Sequence, residues 1–424
     1  MNKRNRIIYN KKAISRSRLI FILLGISFLF IKSCIAPYTA NYEGNSDTLV
    51  VDGSLIKGND EQIIKISRAS SILLPKDQYA KIQPLSGCQV KIVDDIDNEF
   101  IFTERNEGEY VAIIDDALLN YEAQYKLMLK TPNGDDYESD FQQLLKSYPV
   151  DSVYSIREYH YNTEQNTNDI GGFQLYVDLN TPDDASKYYR FQIEETWEVR
   201  SSYVISGIWD GNTVTLNDWW EDSIYYCWKS KYAEGIYTTS CLNLSQNKIV
   251  KIPLLFKLED SKELGVKYCA TVKQFPLDKN AYNYWHQKEI ELTESGQIYT
   301  SQPSQVESNV HNINNPKEKV LGYFWVSSVS FKRTFLENGI GGEFPFECEY
   351  ISIMPDSPDK HNIEAEILQA ISVTRNIPNP PLYIYRICSG GCIYYVALSD
   401  FCIDCRKMEG TIVKPDFWGP HQSD

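Results

Sequence analysis

The chain has 424 residues, a formal net charge of −15, and 30 tyrosines, 17 phenylalanines and 8 tryptophans against 4 methionines. That length supports two or three domains with full cores, and the aromatic, Met-poor composition favours strands over helices. So acidic a body repels phosphate backbones and anionic membrane surfaces, which excludes nucleic acid as a partner.

Seven basic residues between Lys3 and Arg18 precede an apolar run from Leu19 to Ile31, followed by Lys32, Ser33 and Cys34. The run is too short to span a bilayer as a helix and has the length of a signal-peptide h-region. A small residue followed by Cys at its end reads as a lipoprotein signal, with residues 1–33 removed and Cys34 diacylated as the first residue of the mature chain. An uncleaved anchor, or an ordinary signal peptide cut nearby, is the alternative. The first 33 residues hold 8 of the 42 basic residues and no acidic one, leaving 34 basic against 57 acidic residues, a net charge of −23. Such a chain reaches a membrane through lipid at Cys34, and two or three acyl chains are needed for stable anchoring.

Residues 34–47 are polar and Pro-containing, as suits a tether. From 48 to 147 short alternating runs succeed one another: Leu49 and Val51; Ile64 and Ile66; Val90 and Ile92; Phe100 and Phe102; Tyr110, Ala112 and Ile114; Tyr125, Leu127 and Leu129. Each predicts a strand with one buried face, Asn133-Gly134 is a strong hairpin signal, and the set predicts an immunoglobulin-like sandwich. A larger β-rich module is expected over 148–424. It opens with strands at Phe173, Leu175 and Val177 and at Tyr189, Phe191 and Ile193, and has a hairpin at Asp210 and Gly211. Within it, Asp278 as N-cap, Ala281, Trp285 and Leu292 at helical spacing, and Gly296 past the end predict a helix over 278–296. Ile363, Ile367, Ala370 and Ile371 repeat the spacing more weakly. The fold class is therefore mainly β with one or two inserted helices.

Nine cysteines follow Cys34. In an exported protein disulfides are the default, and the candidates are Cys227, Cys241, Cys388, Cys392, Cys402 and Cys405, with Cys227 and Cys241 flanking a plausible hairpin. The last four, spaced x3, x9 and x2, can instead supply a four-thiolate zinc site, and free thiols are a third reading. An odd count leaves at least one thiol unpaired within the chain. Cys402 to Cys405 also spell a redox motif, but Asp404 is the wrong charge to lower a thiol pKa and no helix start follows. The five histidines show no metal-ligand spacing, and His311 reads as structural. No G-x-S-x-G, phosphate loop or G-x-G-x-x-G is present. Glu194 and Glu195 point to opposite faces of a strand and read as a solvated rim. Asp94, Asp95, Asp97, Asn98 and Glu99 form an oxygen-rich turn, either an ordinary acidic hairpin or a calcium site. Trp209, Trp219, Trp220 and Trp228 crowd into twenty residues beside Tyr203, Tyr225 and Tyr226. They are the binding candidates, with core packing as the bland reading.

The chain resembles the Bacteroidota lipoprotein family known as domain of unknown function 4249. The matching stretches are Cys34, Ile35, Pro37 and Tyr38; Leu49–Gly53; Ile66–Arg68; Pro84–Gly87; Tyr188–Phe191 with Glu194–Trp197; Ala281–Trp285; Gln302–Gln305; Asn309–Asn312; Val320–Phe324; and Cys402, Asp404, Cys405 and Lys414–Trp418. The resemblance implies an outer-membrane lipoprotein, often encoded beside TonB-dependent receptors, and brings no catalytic residues. The acidic cluster that often follows the lipidated Cys of surface-exported relatives is missing, so the leaflet stays open. The expected function is a non-enzymatic, lipid-anchored binding or docking accessory of a TonB-dependent transport system, with no cofactor or metal. An independent glycan- or peptide-binding lipoprotein is the alternative, and a hydrolase comes third.

Overall fold

The structure, a computed structural model, describes residues 47–70, 82–160, 170–216, 224–294, 307–337, 348–356, 359–374, 376–389 and 391–419. Cys34, the expected leader before it, the expected tether after it up to Ser46, Trp219, Trp220 and Gly296 lie outside them. Period-2 alternation becomes strand in the first hundred described residues. Leu49, Val51, Ile64, Ile66, Val90, Ile92, Phe102, Tyr110, Tyr125, Leu127 and Leu129 all reach one core, while Phe100 is half-buried against it. The Asn133-Gly134 turn joins strands Gln124–Lys130 and Asp136–Ser139, with Gly134 at φ +92°.

These strands do not complete their own sheet. The hydrogen-bonded path begins at Val310–Asn312, which pairs with Asp136–Ser139, and ends at Val320–Ser328, which runs parallel to the first strand, Asp47–Lys57. Its two ends close on each other because the Asn309 side chain bonds both backbone groups of Phe324: Nδ2 donates to the carbonyl at 2.7 Å, and Oδ1 accepts from the N–H at 2.9 Å. A side-chain amide there stands in for a ladder peptide, satisfying groups that would otherwise be buried unpaired. The boundary expected at residue 148 is thus crossed: residues 309–328 belong to the first sandwich, and 47–424 form a single compact unit.

A second sandwich follows. The sheet of Ser152–His160, Ile170–Asn180 and Lys248–Leu258 faces one built from Tyr226–Tyr232, Tyr188–Arg200, Lys267–Leu277 and Ser330–Glu337. Leu175, Val177 and Ile252 from the former meet Phe191, Ile193 and Val272 from the latter. A third sheet joins the hairpin Gly207–Trp209 and Val214–Leu216 to Leu382–Cys388, Cys392–Ala397 and Tyr350–Ile353.

Two helices complete the described fold. Helix α1, Lys279–Glu294, starts where Asp278 Oδ1 accepts the N–H of Ala281 at 2.8 Å, an N-cap as expected. It buries Ala281 and part of Trp285 between the sandwiches, but Leu292 is 50 % exposed, because the last turn of the helix runs past the core. Helix α2, Lys360–Val373, is capped by Asp359 and lays Ile363, Ile367 and Ile371 on the third sheet. Each such burial is worth about 1.5–3 kcal/mol.

Candidate binding surface

The hairpin at Asp210 and Gly211 forms because Asp210 Oδ1 accepts the N–H groups of Asn212 and Thr213, each at 2.8 Å, while Gly211 takes φ +108°. These bonds, that from Thr213 foremost, hold the Asp210 carboxyl below its usual range. Trp209 does not project from this hairpin. It is half-buried against the core of the third sheet, and its indole Nε1 is buried with no partner among the described residues. Trp228 is interior, 4 % exposed in a cluster with Cys269 and Trp418, so its assignment as a contact residue is corrected. The reason is the C-terminal segment, which covers this strand: Trp228 and Thr411 exchange backbone bonds of 2.8 and 2.9 Å. Trp228→Ala should therefore cost on the order of 3–5 kcal/mol, read as a shift in urea midpoint, and Trp209→Ala distinctly less. Equal losses would contradict the difference in burial.

The aromatic residues that do make a ladder come from four separated segments. Tyr203 stacks on Tyr385 at 3.9 Å and 7°, Tyr385 on Tyr395 at 4.9 Å and 11°, and Tyr350 meets Tyr395 edge-on at 5.0 Å. The ladder climbs from Tyr385, 1 % exposed, to Tyr350, 50 % exposed, so it ends at the surface of the third sheet. Burial raises the Tyr385 phenol pKa, which keeps it neutral.

Beside the ladder lie the disulfides: Cys227–Cys405, Cys348–Cys402 and Cys388–Cys392. Cys388, Cys392, Cys402 and Cys405 are all oxidised, but Cys227 pairs with Cys405 rather than Cys241. Cys241 remains a buried thiol, as do Cys88 and Cys269. Strand Tyr226–Tyr232 and the turn Cys405–Met408 bring the first pair to 5.6 Å between Cα atoms, whereas Cys241 follows a different strand, Tyr237–Ser240. Burial raises all three free thiols, Cys269 to about 11, so none is a ready nucleophile. Asp404, between two bridged cysteines, is 1 % exposed. Burial pushes its carboxyl up, but Arg406, bonded through Nε and a terminal nitrogen at 2.8 Å each, prevails and holds it low. Alkylation of the unreduced, denatured protein should modify these three thiols and protect the six bridged ones. Reducing Cys227–Cys405 should cost about 2–5 kcal/mol.

The remaining candidates resolve as structure. The Asp94 carboxylate takes the N–H groups of Ile96 and Asn98 and the Asn98 side chain, so its turn is an ordinary acidic hairpin. Among the described residues no cluster of three His, Cys, Asp or Glu is placed to hold a metal ion. His311 faces Glu138 at 3.8 Å beside a structural strand pairing. Glu194 lies 3.1 Å from Lys273, but Glu195 is no rim residue: it is 2 % exposed, pairs with Lys257 at 2.6 Å and accepts the Tyr268 hydroxyl at 2.9 Å.

The architecture defines a mainly β protein of two sandwiches and a disulfide-stapled, helix-covered sheet. The chain belongs to the family described as domain of unknown function (DUF4249), whose model matches residues 35–333. The closing stretches Cys402–Cys405 and Lys414–Trp418 fall beyond that match, as does most of the third sheet. No curated protein matches the chain. No helix among the described residues is long and apolar enough to cross a membrane.

Proposed function

We propose that the chain is an outer-membrane lipoprotein, anchored through acyl groups on Cys34, that serves without catalysis as a binding or docking accessory of a TonB-dependent transport system. The observation that carries this reading is the trio of disulfides, one of which joins cysteines 178 residues apart. Such bonds persist in oxidising compartments, which supports export and with it the lipoprotein reading of the leader. The family resemblance supports the transport partner, and the loops and tyrosine ladder of the third sheet supply a rigid surface on which a partner can dock. An independent glycan- or peptide-binding lipoprotein is the second reading, favoured by the exposed end of that ladder, since aromatic faces stack on sugar rings.

Cys34→Ser should release the protein from membranes and abolish acyl labelling. Unchanged fractionation with undiminished labelling would refute the anchor. A docking subunit co-purifies in detergent with a barrel receptor, whereas a solute binder runs alone and binds its glycan or peptide.

A further inference from the structure

The core between the two sandwiches holds a guanidinium that no carboxylate meets. Arg190 reaches from strand Tyr188–Arg200 into a group of rings, its guanidinium carbon 3.8 Å from the Trp285 ring centre, 5.2 Å from Trp325 and 6.0 Å from Phe275. Its Nε is buried and bonds to nothing among the described residues, and Trp285 Nε1 beside it is equally unpartnered. The terminal nitrogens also donate to no described group but are not sealed off, since Arg190, Tyr284 and Trp285 are only half-buried.

This is anomalous within the molecule. Other cations set into this part of the fold have an oxygen acceptor: Lys257 has Glu195 at 2.6 Å, Lys273 has Glu194 at 3.1 Å, Arg200 has Glu198 at 3.4 Å, Lys187 has the Asn247 side-chain oxygen at 2.7 Å and Lys267 the Trp418 carbonyl at 3.0 Å. Burial pulls the Arg190 pKa down to about 10, opposed by exposed Asp52 and by Tyr284 acting at a distance, and no ion pair forms between Arg190 and Asp52. A buried charge is costly unless paired, and ring faces attract a cation without supplying the hydrogen-bond acceptors its N–H groups lose on leaving water. What the guanidinium lacks is a planar, two-oxygen acceptor, the group its fork fits best.

We propose that Arg190, framed by Tyr284 and Trp285, is a binding subsite for a small ligand ending in a carboxylate. The two carboxylate oxygens take the free terminal N–H groups, and the body of the ligand lies at the half-open rim formed by the rings. A peptide C-terminus and a uronic acid share this chemistry. The inference stands apart from the docking role, which can fail without it.

The test is calorimetric titration of the full chain in detergent with triglycine against its C-terminal amide, and with galacturonate against galactose. At least one acid should bind saturably and its neutral counterpart at least tenfold more weakly; which acid binds identifies the source. Arg190→Lys keeps the charge but not the fork, and should weaken that acid at least tenfold while the melting temperature stays nearly unchanged. Failure of both acids to bind better than their neutral counterparts, or undiminished binding by Arg190→Lys, would make the residue a structural rivet and overturn the proposal. If the variant does not fold, the acid-against-neutral comparison on the unaltered chain decides.

Discussion

Gly322→Ala should be among the most damaging single changes in the molecule, lowering stability by on the order of 4 kcal/mol or more. Gly322 sits at φ +90° in the strand Val320–Ser328, where its partner in the parallel pairing is Val51. A Cβ there would lie 1.8 Å from the Val51 carbonyl oxygen. That oxygen is backbone, so no side chain can swing aside, and the pairing that closes the first sandwich would have to part. Gly134 is the control: it has φ +92° but nothing within 4 Å of an added Cβ, so Gly134→Ala should cost only about 1–2 kcal/mol. Urea unfolding of both variants under oxidising conditions measures the contrast, and equal losses would show that close approach of the strands is not what Gly322 serves.

The second large effect is expected at the buried charge pair. Glu195 and Lys257 have side chains 3 % and 13 % exposed, and Glu263 lies 3.6 Å from the same ammonium. They join the facing sheets of the second sandwich, with the Tyr268 hydroxyl supplying a further bond to the carboxylate. Glu195→Ala leaves Lys257 partly buried with its nearest anion gone and should cost about 3–5 kcal/mol. The pair of changes Glu195→Leu and Lys257→Met, by removing both charges, should recover much of that loss. A double variant no better than the single one would place the cost in packing rather than in the unpaired charge.

The sequence was most readable where one face of a strand is solvated. Alternation located Leu49, Ile64, Val90 and Leu127, and Asp278 marked the start of α1, because caps and period-2 patterns are local. Strand Val320–Ser328 is buried on both faces over much of its length, so it has no alternation to read. Its return to Asp47–Lys57 is a pairing between segments far apart in the chain. Glu195 departs from the expected rim for a different reason: alternation in Tyr188–Arg200 holds through Glu195 and puts it on the buried face with Tyr189, Phe191 and Ile193, so the pattern marks it as interior and only its charge suggests a rim. Cysteine count and compartment predicted oxidation but not partners, since six cysteines allow about fifteen pairings. Cys348 had no neighbour in sequence to suggest its role. The Arg190 site was illegible because its rings come from a strand of each sandwich and from α1, and nothing in the local sequence around Arg190 announces them.

A protein that works attached to a membrane transporter must be recoverable with that transporter. The direct measurement is affinity purification of the tagged full chain from detergent-solubilised membranes, with quantitative mass spectrometry and cross-link mapping. A β-barrel receptor is expected in near-stoichiometric amount, with cross-links at the third sheet near Tyr203 and Tyr350. A chain recovered alone from membranes that demonstrably contain such receptors would contradict the docking role.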